Sequence, residues 1–250
     1  MPDVISQILQ TEGLIWLIVA FSLAGVIRGF TGFGTAMIVV PVGAMFLPIA
    51  EIVFILTITG LGTAATLIPK AWPVSSKREV LLLSGTAILA LPLGIQLLTI
   101  LDQNILRWAL TVVVGILLTS LIAGWRYSGP LSTFGIIAIG GMAGLIGGAT
   151  GLTGPVVIMF YLASSQLVQV IRANSIIFLG VIDVALIVML VARGLADWEA
   201  FYLGLFLAIP YVLTAMLGQR LFDPNKEKLY RILSYGVIIG VAVISMPIFD

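Results

Sequence analysis

The sequence predicts an all-α polytopic membrane protein. It is built as two inverted repeats of about five helical segments each, with short paired helices around Gly-rich breaks. Three observations lead there. The mean hydropathy is +1.21, with 60% hydrophobic and only 9% charged residues, whereas about 25% of a soluble domain is charged. Apolar runs follow one another through all 250 residues, separated by short polar connections, as in a chain that crosses a bilayer repeatedly. Finally, a Gly-rich stretch occurs twice. Ala24, Gly25, Ile27, Gly29, Thr31 and Gly32 are matched, at a constant offset of 119, by Ala143, Gly144, Ile146, Gly148, Thr150 and Gly151. Six identities in nine positions mark an internal duplication.

From the N-terminus, Met1 to Gly13 contains no Lys or Arg and carries Asp3 and Glu12. It lacks the basic region of a cleaved signal peptide, so the first apolar run is read as retained. Apolar runs fall at about 14–27, 35–50, 52–69, 79–100, 105–124, 131–146, 154–170, 173–193, 199–219 and 229–248. That divides one transmembrane domain, 1–250, into a first repeat over about 12–125 and a second over about 131–250. The first two runs of each repeat are short. At 1.5 Å per residue they rise roughly 21–26 Å against a hydrocarbon core near 30 Å. Each short pair is either two tilted spans or a hairpin that dips into the membrane, with the Gly-rich break at its tip. Glycine permits such a tip because it adopts positive φ without steric penalty. Irregular backbone at membrane depth is tolerated only against protein or a water-filled cavity, which makes the breaks the first candidates for a functional site.

Basic residues set the expected topology. Connections after odd-numbered segments carry Arg28; Lys70, Lys77 and Arg78; Arg126; Arg172; and Arg220, Lys226, Lys228 and Arg231. Those after even-numbered segments carry Glu51; Asp102 with Arg107; no charge; and Arg193 with Asp197 and Glu199. The basic side is assigned to the cytoplasm, which turns both termini outward. Five is odd, so the second repeat runs opposite to the first, the inverted arrangement that places solute sites near the midplane on interrupted helices. Trp125 to Pro130 forms the short linker, and Trp16, Trp72, Trp108, Trp125 and Trp198 stand near segment ends, as interfacial residues do.

Composition also excludes. There is no Cys and no His, which removes thiol nucleophiles, His-based dyads and the usual zinc sites. No metal or cofactor is expected. The net charge of +1 gives no reason for a nucleic-acid partner.

A second pattern repeats late in each half: Gly94, Leu97 and Arg107 pair with Gly218, Leu221 and Arg231 at an offset of 124. With Gly29-Phe30-Thr31-Gly32-Phe33-Gly34 and Gly148-Ala149-Thr150-Gly151-Leu152-Thr153-Gly154-Pro155, the chain resembles the sulfite exporter TauE/SafE family of membrane permeases over about residues 12–248. The resemblance implies a multi-pass protein of the bacterial inner membrane that exports or takes up a small anion: sulfite, an organosulfonate or a related organic anion. Its expected partners are that solute and the lipid bilayer, with homo-oligomerisation left open. Arg28 has Gly147 as its repeat mate, so any role for it rests on its own chemistry.

That chemistry nominates a site at the two breaks: Arg28, Gly29, Thr31, Gly32, Gly34 and Thr35 from the first, and Gly148, Thr150, Gly151, Thr153 and Gly154 from the second. An Arg near the bilayer centre costs roughly 2.5–3.5 kcal/mol on insertion scales, and its planar fork of donors suits a sulfonate or carboxylate. The helix resuming near Gly34-Thr35 adds free N–H groups and its positive end. The other reading makes Arg28 an ordinary cytoplasmic-end cation. Asp183, mid-segment, is a coupling acid, a counter-charge to Arg28, or a neutral carboxyl hydrogen-bonded to a neighbouring helix. Arg172 is read as a membrane anchor, Glu51 as a cap, and Pro41, Pro92, Pro155 and Pro210 as helix kinks. A permease is therefore expected, with a passive anion channel on the same frame as the alternative. An intramembrane enzyme lacks nucleophile–base partners, and a scaffold gives no reason for Arg28 and Asp183.

Overall fold

A computed structural model describes residues 2–102, 132–164, 166–223 and 225–226, with the single positions 105, 108, 112, 232 and 236. The fifth segment of each repeat, the 125–130 linker, and Arg107, Arg126, Lys228 and Arg231 lie outside the described residues, those single positions apart. Among the described residues every regular element is helical: α1 (Pro2–Gln10), α2 (Leu14–Thr31), α3 (Thr35–Gly43), α4 (Ile49–Ala71), α5 (Lys77–Ile100), α6 (Thr133–Thr150), α7 (Thr153–Ala163), α8 (Val168–Ala192) and α9 (Trp198–Leu221). A 3₁₀ turn at Trp72–Val74 extends α4. Six of these, α2, α4, α5, α6, α8 and α9, are long and apolar enough to cross a membrane. Trp16, Trp72, Trp108 and Trp198 are all exposed.

The short pairs differ from the sequence expectation in a definite way. The first member of each is a full helix of 18 residues, and only the second is short. Helices α3 and α7, of 9 and 11 residues, rise about 14 and 17 Å, near half a hydrocarbon core. The apolar runs end at 27 and 146, ahead of Gly29 and Gly148, whereas the helices that carry Gly25, Gly29, Gly144 and Gly148 continue to Thr31 and Thr150. All four are helical, and their lack of a side chain serves packing instead.

Helix α2 lies against α9, and α6 against α5. A Cβ on Gly29 would run into the Ala215 carbonyl, and one on Gly218 into the Val26 carbonyl. In the other half, a Cβ on Gly148 would sit 2.6 Å from the Leu91 oxygen and 2.9 Å from the Gly94 Cα, and one on Gly144 would strike the Ala87 carbonyl. Inside a membrane, where lipid competes equally for apolar surface, small residues hold helices together by letting backbones close in. The two sequence echoes are thus the two faces of one helix contact, made twice.

The remaining packing repeats in the same way. Helix α3 rests on α2 and α4, as α7 rests on α6 and α8; α4 meets α9, as α8 meets α5; and α4 and α8 meet each other. Exchanging α2–α5 for α6–α9 maps this set of contacts onto itself. The short helices α3 and α7 are held between long ones, and that position aims their first turns into the interior.

Candidate functional site

Both breaks are made by the same local chemistry. Helix α2 ends where Gly32 turns left-handed at φ 86°, followed by Gly34 at φ 100°, and α6 ends at Gly151 with φ 78°. These are conformations that side chains rarely tolerate. Thr31 Oγ donates to the Ile27 carbonyl at 2.8 Å and accepts from the Phe33 amide at 3.3 Å. Thr150 Oγ donates to the Ile146 carbonyl at 2.8 Å and accepts from the Leu152 amide at 3.2 Å. The end of α2 has a further cap. Arg172 donates from Nε to the Phe30 carbonyl at 2.9 Å and from Nη2 to the Gly29 carbonyl, and its guanidinium lies 4.3 Å from the centre of the Phe222 ring. A cation on unpaired terminal carbonyls offsets the helix dipole. Where the sequence suggested a membrane anchor, the structure gives Arg172 the task of fixing the first break.

Beyond the breaks, α3 and α7 begin without any side-chain cap on their first-turn amides. Both open onto one cavity of about 40 Å³. Gly34 and Thr35 reach it from the first break, and Gly151, Thr153 and Gly154 from the second. The breaks lie side by side: a Cβ on Gly154 would stand 3.7 Å from the Phe33 Cβ. Gly60, Asp183 and Tyr211 also line it, each within a few residues of the middle of its long helix.

Two charged groups face this space. Arg28 is only 4% exposed, and its Nε is buried without a hydrogen-bond partner among the described residues. A buried guanidinium with an idle donor is costly unless something else answers it. Asp183 lines the same cavity and feels the Arg28 charge. Among the described residues the two form no ion pair, and Asp183 accepts no hydrogen bond. Its carboxyl occupies a notch over Gly60, where a Cβ would collide with it. Opposite, the Tyr211 hydroxyl and Thr35 Oγ are 2.6 Å apart, and the Tyr211 ring stacks edge-on against Phe21 at 6.0 Å.

Of the residues nominated from sequence, Arg28, Gly34, Thr35, Gly151, Thr153, Gly154 and Asp183 meet at this cavity. Gly29, Thr31, Gly32, Gly148 and Thr150 do not line it: the two threonines are spent on helix ends, Gly29 and Gly148 on helix contacts, and Gly32 on the turn beside Arg172. Tyr211, Thr57 and Gly60 line the wall without having been nominated. The one sequence signal for Tyr211 was a phenol in the middle of an apolar run, since a buried Tyr hydroxyl generally has a polar partner. Electrostatically, the cavity collects one guanidinium and the positive ends of two helices against one carboxyl, which is the makings of an anion site.

The family model described as Sulfite exporter TauE/SafE matches residues 17–245. No curated protein and no solved structure matches the chain.

Proposed function

The chain belongs to the sulfite exporter TauE/SafE family, and from that premise we propose that it binds a small oxyanion, such as sulfite or a compact organosulfonate, in the cavity between its two breaks. That family is one of anion-exporting membrane permeases, and six apolar helices make this chain a multi-pass membrane protein. In the proposed cycle, Arg28 offers its idle donors to the oxyanion, and the first-turn amides of α3 and α7 supply the rest of the shell. Thr35, Thr153 and Tyr211 add hydroxyls. The volume suits a compact headgroup: a cavity that admits one water needs about 10–15 Å³ on this measure, so about 40 Å³ takes about three waters or one small anion.

The two repeats are proposed to run in opposite directions through the bilayer, bringing the cavity to the midplane. The contact pattern that survives exchange of the halves supports this, as do Gly60, Asp183 and Tyr211 at mid-helix. Cytoplasmic placement of the basic end is favoured by its charge: Lys70 bonds Gln219 at 3.1 Å and Asn174 accepts from the Ser76 amide at 2.8 Å, which gathers Lys70, Lys77, Arg78, Arg172 and Arg220 at one end. The opposite end brings Gln7 to Glu199.

The observation that carries the reading is Arg28: buried, charged, with an unused donor at a cavity shared by two uncapped helix starts. The test is sulfite and methanesulfonate flux in proteoliposomes. Arg28→Ala is expected to abolish flux of whichever anion the wild type carries. Lys226→Ala, which removes only an exposed pair with Asp223, is expected to leave it intact. Equal flux through the two variants would refute the site.

A further inference from the structure

We propose that the cavity takes up one proton with each anion, on the Asp183 carboxyl, so that the permease moves anion and proton as a pair. The inference rests on the anion site proposed above and adds its coupling partner. Empty, the site holds the Arg28 guanidinium and the Asp183 carboxylate as mutual counter-charges across an open gap. Loaded, the anion takes over Arg28, and the proton removes the negative charge that would otherwise stand beside it. The balance is simple: one anion and one proton enter, no covalent bond to the anion forms, and both leave on the other side. For a monoanion the transported pair is neutral, so the pH gradient and the anion gradient set direction, and the membrane voltage does not.

Geometry supplies the case. Arg28 and Asp183 line one small space yet form no ion pair among the described residues, which leaves room between them for a third charged body. The Asp183 carboxyl accepts no hydrogen bond among the described residues. Its notch sets it over the backbone of α4 at Gly60, whose amide belongs to the helix. Nothing therefore holds it permanently ionised apart from Arg28, and an anion bound to Arg28 cancels that support. Like charges confined together in a weakly screening interior repel strongly.

Among the described residues no other group is placed to take the proton. The chain has no His. Tyr211 is the remaining titratable residue of the wall, and its hydroxyl is engaged with Thr35. The helices packed against α8 bring Glu51 and Lys70 at the two ends of α4, Lys77, Arg78 and Glu79 at the start of α5, and Tyr161 late in α7. None of these lines the cavity. Glu79 is held by Gln166 and Asn174, and Tyr161 by Asn174.

The test uses the purified full-length chain in detergent with methanesulfonate, whose own charge is constant through the working range. Binding is titrated from about pH 5 to about pH 8, and proton uptake is read with an indicator dye in weak buffer. The wild type is expected to take up about one proton per anion, with affinity falling about tenfold per pH unit on the alkaline side, as reciprocal linkage requires. Asp183→Asn is expected to bind with a flat pH profile and no uptake. Asp183→Glu, which keeps the acid, is expected to retain uptake and guards against an Asn variant that does not fold. Binding without proton uptake in the wild type, or unchanged uptake in Asp183→Asn, overturns the coupling and leaves the anion site standing. Failure of methanesulfonate and sulfite alike to bind removes the anion site, and the coupling with it.

Discussion

Replacing Arg28 by Gln should separate a binding residue from a structural one, because the two roles move stability in opposite directions. Arg28 is 4% exposed and its Nε has no partner among the described residues. The substitution therefore forfeits no protein hydrogen bond from that atom and lifts the burden of a buried charge. Replacing both members of a buried charge pair by neutral groups of similar size is neutral or stabilising by about 1–4 kcal/mol, whereas removing one member strands the other and is destabilising. The unloaded double variant Arg28→Gln, Asp183→Asn, which neutralises both groups, should then melt at the same temperature or higher. The anion, in contrast, loses charge-assisted hydrogen bonds worth about 1.5–3 kcal/mol, or about 10–150-fold in affinity. Thermal unfolding in mild detergent, with and without methanesulfonate, reads both effects in one experiment. The double variant Arg28→Gln, Asp183→Asn controls for the acid left without its counter-charge. A less stable double variant that keeps the full anion-induced shift would mean that Arg28 serves the fold and not the anion.

Two further outcomes follow from the packing. Gly29→Ala and Gly148→Ala each drive a methyl into a neighbouring backbone carbonyl and should cost about 1–3 kcal/mol of unfolding free energy, as overpacking does; Gly85→Ala and Gly141→Ala meet nothing within 4 Å and should stabilise by about 0.5–1 kcal/mol through helix propensity. Equal melting shifts for the two pairs would contradict the contact described for α2 with α9 and α6 with α5. Asn174, fully buried, accepts from the Ser76 amide at 2.8 Å and donates to Glu79 at 3.2 Å. Its replacement by Ala should cost about 1–3 kcal/mol for the stranded amide while leaving the anion-induced shift unchanged, since none of these residues lines the cavity.

How much of this was legible beforehand depends on the range over which each feature is encoded. The all-helical membrane class, the duplication and the existence of the two breaks are local properties, carried by composition and by residues within a turn of one another, although the helices run four residues past the ends of the apolar runs at 27 and 146. Gly32, Gly34 and Gly151 sit at positive φ because their own backbone demands it, and Thr31 and Thr150 close the helices by bonding four residues back. Any such segment carries that information wherever it folds. The tertiary structure alone decided what the helical glycines face, what Arg172 caps and who shares a cavity with Arg28. Gly29 and Gly148 look like turn residues until the Ala215 and Leu91 carbonyls arrive beside them. Arg172 meets the Gly29 carbonyl across 143 residues of chain, and the Tyr211 and Thr35 hydroxyls meet across 176. Contacts at that separation follow from which helices pack together, and a single helix read alone contains no term for its neighbour.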